Sequence, residues 1–177
     1  MDTAPKLVLD APSLERTLVR IAHEILEKNK GVGSIALIGI QTRGVVLAQR
    51  LRKAMQEIGG GEVPLGILDI NLYRDDLTRV SEQPVIRKTE VKFDLEGLTI
   101  VLVDDVLYTG RTIRSALDAL IDFGRPKRIQ LAVLIDRGFR ELPIHPDFAG
   151  VKLQTKKSEE VIVQLKELDG ADKVIVS

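Results

Sequence analysis

Two acidic residues stand side by side, Asp104 and Asp105, at the end of the apolar run Thr99-Ile100-Val101-Leu102-Val103, and the chain then passes through Val106-Leu107-Tyr108 to Thr109-Gly110-Arg111-Thr112. Adjacent carboxylates at a strand end can accept hydrogen bonds from the vicinal hydroxyls of a ribose, and can hold Mg2+ through water because that hard ion favours oxygen ligands. A helix that opens at the Thr-Gly pair offers unpaired N–H groups and the positive end of its dipole, which together suit a phosphate. Gly110 lets the backbone approach the anion, while Thr109 and Thr112 add hydroxyl donors. An isolated Asp-Asp would as readily cap a helix, and Thr-Gly alone is an ordinary turn. The combination of apolar strand, acidic pair, Thr-Gly and second Thr points to a phosphate and ribose site.

A second turn, Thr42-Arg43-Gly44, also follows an apolar run and so falls on the same sheet edge. Arg43 can neutralise a diphosphate, and nearby backbone N–H groups can complete an anion cradle. Farther along, Tyr73 and Arg74 open a polar stretch that also carries Asp75, Asp76 and Arg87; its length and lack of helical spacing mark residues 73–93 as a candidate mobile loop. The chain has neither Gly-x-x-x-x-Gly-Lys-Ser/Thr nor Gly-x-Gly-x-x-Gly, which disfavours a nucleotide-triphosphate kinase or a dinucleotide enzyme.

These groups need a scaffold, and the hydrophobic pattern supplies one. Ile35–Ile40, Thr99–Val103 and Ile129–Ile135 are continuous apolar runs, as expected of parallel strands covered on both faces, and residues 64–72 alternate enough to form another strand. Between them, Leu14, Leu18, Ile21, Ala22 and Ile25 fall at helical spacing behind a cap at Asp10 or Ser13, and Asn29-Lys30-Gly31 stops that helix. A second helix follows Gly44 and ends at Gly59-Gly60-Gly61, and a third spans about Thr112–Phe123. Alternating strands and helices predict an α/β domain with a mainly parallel sheet. Lys6–Leu9, Val161–Leu165 and Val174–Val176 read as short strands of a small lobe, so the expected layout is one domain over 1–177, with a core over about 14–137 and a hood from about 6–10 and 138–177.

With 177 residues, 44% hydrophobic and 29% charged, the chain has the balance of a globular domain. Its 26 basic and 26 acidic residues cancel, so a nucleic-acid surface could only be a local patch. Cysteine is absent, which excludes disulfides and thiolate chemistry. No apolar run approaches the roughly 20 residues that span a bilayer, and no signal peptide opens the sequence; a cytoplasmic protein is expected.

Val101–Thr112 resembles the 5-phosphoribosyl-1-pyrophosphate (PRPP) signature of type I phosphoribosyltransferases. Together with Arg20-Ile21-Ala22-His23-Glu24, Gly39-Ile40-Gln41-Thr42-Arg43-Gly44, Leu72–Leu77 and Ile129–Gly138, it resembles the family of bifunctional pyrimidine operon regulators and uracil phosphoribosyltransferases, in order over about residues 6–170. The resemblance implies the type I fold with a hood, and the conversion of uracil and PRPP to UMP and pyrophosphate with Mg2+ accompanying PRPP. It implies that Asp104 and Asp105 hold the ribose, that 106–112 bind the 5-phosphate, and that Thr42, Arg43 and Gly44 form a diphosphate loop often carrying a non-proline cis peptide. Tyr73, Arg74 and Arg87 would close over the site, and Ile135, Arg137 and Val161 would read uracil, chiefly through backbone groups.

Members of this family also bind the leader of pyrimidine operon mRNA under control of UMP or UTP and promote transcription attenuation, and they associate into homo-oligomers. The candidate RNA contacts are Arg16, Arg20, His23, Arg140 and Lys152; Arg20 and His23 share one helical face. The sequence departs from the family's RNA-facing pattern at Val19, Phe139, His145 and Val151, where Thr, His, Arg and Lys are usual. Each change removes a hydrogen-bond donor or weakens positive charge, and losing phosphate contacts lowers affinity and its salt dependence. A salvage enzyme without RNA binding, or a type I transferase for hypoxanthine or orotate, are the alternative readings.

Overall fold

The computed structural model describes residues 4–71 and 89–177. Five strands form one all-parallel sheet: β2 (Ile35–Ile40), β3 (Leu65–Leu68), β4 (Thr99–Leu107), β5 (Arg128–Asp136) and β6 (Phe148–Lys152), in the order β3-β2-β4-β5-β6. Because side chains alternate along each strand, the apolar runs split between two cores. Leu37, Val101, Val103 and Leu134 face α1 (Ala11–Asn29) and α2 (Arg43–Gly59), whose Leu14, Ile21, Ile25, Leu47, Leu51 and Met55 cover them. Ile38, Leu102 and Val133 face α3 (Arg111–Ile121) through Ile113, Ala116 and Leu120.

The other strands, β1 (Lys6–Leu9), β7 (Val161–Gln164) and β8 (Lys173–Val176), make a three-stranded antiparallel sheet in the order β1-β8-β7. This is the expected hood, joined by the short helix α4 (Lys166–Asp169). Arg50 on α2 ties it to the core by bonds to both Glu167 and Asp172. No helix among the described residues is long and apolar enough to cross a membrane.

Several boundaries differ from the sequence reading. The strand expected over 64–72 stops at Leu68, because the Asp69 carboxylate accepts the Asn71 N–H at 3.0 Å and turns the chain out of the sheet. Helix α3 starts one residue earlier and ends at Ile121 rather than Phe123, its last turn closing by tighter bonds from Asp122 N–H to Ala119 O and from Phe123 N–H to Leu120 O. The region assigned wholly to the hood contributes β6 to the main sheet. That strand has few β-formers and carries Gly150, where a Cβ would collide with the Leu134 carbonyl, so packing rather than propensity places it. Within the end of the polar stretch 73–93 that is described, Glu90 exchanges two 2.8 Å backbone hydrogen bonds with Ile67 at the sheet edge.

Candidate phosphoribosyl site

β4 continues beyond its apolar run through Asp104 and Asp105, so both carboxylates sit at the carboxyl edge of the central strand, where ligands of open α/β sheets bind. The Asp104 carboxylate accepts the Asp105 N–H and the Asp105 carboxylate accepts the Val106 N–H, each at 2.8 Å and each with one oxygen. Asp104 is buried and Asp105 half-buried. Burial, and then the neighbouring charge of Asp105, push the Asp104 carboxyl well above the usual carboxylate range.

The chain next makes the loop into α3, where Gly110 takes a left-handed conformation at φ 95°. A cavity of about 340 Å3 is lined by residues 106–113, which brings the whole expected 5-phosphate segment into one concavity. On the neighbouring strand, Thr42 and Arg43 lead into α2 beside a cis peptide between Gln41 and Thr42. The first turn of α2 lies directly on β4: a Cβ on Gly44 would collide with Val103 O and come within 3.3 Å of the Asp104 Cα.

Helix α1 is capped by Asp10, which accepts the Ser13 N–H at 2.9 Å. Helices α2 and α3, both starting at this sheet edge, receive no side-chain bond from their N-cap residues, although the Thr109 hydroxyl accepts the Arg111 N–H at 3.3 Å. An uncapped helix start leaves N–H groups for an anion, and here two such starts flank one acidic pair.

The structure relocates several expected contacts. Arg43 reaches into the hood, where Nε donates to Val163 O and Nη2 to Asp169 Oδ1, both at 2.8 Å, so an acid already offsets its charge. Ile135 is fully buried, and the Arg137 N–H, expected to be open to a base, donates to Leu107 O at 3.1 Å. The Arg137 guanidinium lies 4.1 Å from the Tyr108 ring centre and donates to Lys156 O and Glu159 O, while its buried Nε has no hydrogen-bond partner among the described residues. Val161 is half-buried in β7. Tyr73, Arg74 and Arg87 lie outside the described residues.

Among the RNA candidates, Arg140 alone is half-buried rather than exposed. Its guanidinium is taken up by Asp136, Tyr108 O and Ile144 O, because the segment after β5 folds back over the loop into α3. Arg20 pairs with Glu24 and donates to Ala149 O and Gly150 O, joining α1 to β6. Arg16, which bonds Ser13, and His23 and Lys152 remain exposed. Asp136, Glu141 and Asp169 were not singled out from the sequence, although Asp136 offered a signal: like Asp104, it follows an apolar run.

A twisted parallel sheet with an acidic pair at its central edge, two uncapped helix starts and a small hood defines a phosphoribosyl-transfer fold. Residues 6–169 match the phosphoribosyl transferase domain family. The hypoxanthine phosphoribosyltransferase of Trypanosoma cruzi superposes with a TM-score of 0.73 at 16% identity, covering 97% of this chain and 95% of that one. One from Staphylococcus aureus gives a TM-score of 0.71 at 16% identity, covering 96% and 90%. The bifunctional protein PyrR of Pelotomaculum thermopropionicum is 58% identical over 96% of this chain and 93% of its own. That of Deinococcus radiodurans is 59% identical, again over 96% and 93%. The chain belongs to the PyrR family of phosphoribosyl transferases.

Proposed function

We propose that the protein transfers the 5-phosphoribosyl group of PRPP to uracil, giving UMP and pyrophosphate, and that it also binds pyrimidine operon leader RNA under control of uridine nucleotides. The observation that carries the enzymatic reading is the pair of uncapped helix starts on either side of Asp104 and Asp105. The α3 start and residues 106–112 receive the 5-phosphate, the Thr42–Gly44 turn receives the diphosphate, and the two carboxylates take the ribose hydroxyls. The C1–O bond of the ribose breaks with its electron pair leaving on the diphosphate, and N1 of uracil bonds to C1 as it loses its proton. Catalysis then comes from positioning and from charge stabilisation of the leaving group, with no covalent nucleophile. The acidic pair also favours positive charge developing on the ribose.

No group of three or more His, Cys, Asp or Glu among the described residues could hold a metal on its own. Two adjacent carboxylates beside a diphosphate nevertheless fit Mg2+, which takes one or two carboxylates along with phosphate oxygens and keeps several waters. Bound with PRPP, the ion supplies charge neutralisation at the leaving diphosphate. Tyr73, Arg74 and Arg87 are assigned to closure over the site, and uracil to Arg137 and Val161, with buried Ile135 acting through its neighbours.

Assaying UMP formation from uracil, beside hypoxanthine and orotate, tests the reaction: product from uracil alone supports it, and product from another base overturns it. The RNA reading is supported by Arg20 bridging α1 to β6, which sets Arg16, His23 and Lys152 on adjoining elements. A gel shift with leader RNA, with and without UMP at stated salt, tests it; binding that ignores UMP would refute the regulatory half.

A further inference from the structure

The segment after β5 is fastened to the phosphate loop one peptide at a time. Leu107 O accepts the Arg137 N–H at 3.1 Å, and Tyr108 O accepts Arg140 Nη1 at 2.8 Å. Thr109 O accepts the N–H groups of Glu141 and Leu142 at 2.9 and 3.2 Å. Three consecutive loop carbonyls are thus turned toward one strap. In a trans peptide the C=O and the following N–H point in opposite directions, so the N–H groups of Tyr108, Thr109 and Gly110 are turned away from the strap. Successive N–H groups aimed one way form an anion-binding concavity.

Arg140 is the only side chain among these strap donors, and its own setting is fixed. Nη2 donates to both Asp136 oxygens at 2.8 Å, Nε donates to Ile144 O at 2.7 Å, and the Arg140 and Asp136 side chains are only 16% and 11% exposed. Asp136 is anchored in turn by the Gly138 N–H at 3.1 Å. A guanidinium can span three acceptors in one plane, which a single ammonium cannot. Its charge behind Tyr108 O also polarises that peptide, strengthening its N–H as a donor.

We propose that Arg140, oriented by Asp136, is a positioning residue for PRPP: it sets the Tyr108–Thr109 peptide so that the loop presents its N–H groups to the 5-phosphate. This inference rests on the assignment of PRPP to the loop. It gives Arg140 a role inside the transferase site, distinct from contact with RNA.

The test compares the whole protein with Arg140→Lys and Asp136→Asn, measuring PRPP binding by calorimetry, steady-state kinetics, thermal unfolding and leader-RNA gel shift. Both variants should raise the PRPP Kd and KM about tenfold, the factor that follows from ~1.4 kcal/mol, while kcat and the KM for uracil change by less than about threefold. A lowered Tm with unchanged PRPP affinity would reduce the cluster to scaffold and overturn the proposal. So would loss of RNA affinity with unchanged PRPP affinity. Should Arg140→Lys not fold, the near-isosteric Asp136→Asn decides alone, and unchanged PRPP affinity in it overturns the inference. A wild-type protein that binds no PRPP would instead defeat the assignment of the loop, and this inference with it.

Discussion

Gly39 lies in the middle of the site's mechanics although it touches no proposed substrate group. A Cβ built there would stand 2.6 Å from the Val45 Cα, 2.7 Å from Gly44 O and 2.8 Å from the Val45 nitrogen, all backbone atoms of the first turn of α2. Carbon pairs rest at about 3.5 Å or more, so Gly39→Ala leaves the helix start roughly 0.9 Å too close. Backbone cannot swing aside as a side chain can, and farther along α2 the buried Leu47, Leu51 and Met55 pin the helix to the sheet. The displacement is therefore concentrated at Thr42–Gly44, the proposed diphosphate turn. Overpacking of this kind costs about 1–3 kcal/mol, which lowers Tm by roughly 2–12 °C in a domain of this size. A misplacement near 1 Å also costs on the order of 100-fold in rate. UMP formation and thermal unfolding should show both losses in Gly39→Ala. Gly33→Ala, where an added Cβ meets nothing within 4 Å, should show neither. A folded Gly39→Ala protein with kcat/KM within about twofold of wild type would refute the placement of the diphosphate at that turn.

Three further outcomes follow from the side chains. Asp104→Asn should abolish most UMP formation yet raise Tm. The buried carboxyl has a raised pKa, so the stability it contributes is lost as pH rises through that value; the gain in Tm should be larger well above the ordinary carboxylate range than below it, and an equal gain at both would contradict the burial argument. Glu167 and Asp172 have the opposite sign, because Arg50 holds both below the ordinary range: their stabilisation is present above that range and lost as pH falls, so Arg50→Gln should flatten the acid limb of a Tm-versus-pH curve below about pH 4. Arg43→Gln should lower kcat/KM for PRPP more than Asp169→Asn does, since only the former removes charge beside the diphosphate turn. Both should cost at most about 1 kcal/mol of stability through the partly exposed pair, and equal kinetic losses would mean that Arg43 acts only through the hood.

What the sequence made legible follows from how local each signal is. Val101–Thr112 states its chemistry within a dozen residues, since strand, acidic pair, turn glycine and helix start are contiguous, and the structure keeps the acidic pair at the end of β4's apolar run, directly before the cavity that residues 106–113 line. Helices α1 and α2 were legible for the same reason, through periodicity and terminal glycines or caps. Partners distant in sequence were not. The destination of Arg43 depends on Val163 and Asp169, well over a hundred positions away, and nothing near Arg43 indicates that a hood acid will meet it. β6 was hidden because Gly150 and Pro146 suppress its strand character while the Leu134 carbonyl demands the glycine.

Arg140 shows how little of a basic residue's setting can be read from its local sequence. Its neighbours Gly138, Phe139 and Glu141 give no hydrophobic pattern, so spacing alone assigns it to solvent. The deciding fact is that β5 ends in Asp136 and the chain reverses over the adjacent strand's loop, which places a buried carboxylate and two carbonyls around one guanidinium. Leaving Arg140 in solvent would strand Asp136 as a buried anion, a cost of several kcal/mol that the pairing removes. The same reversal covers the carbonyls of the loop into α3, so that the N–H groups of Tyr108, Thr109 and Gly110 face away from it. A residue proposed as an RNA contact from its charge is thus held by a carboxylate whose position depends on the sheet, and of the two acids that follow apolar runs, Asp104 is left to the proposed ribose site while Asp136 fixes Arg140.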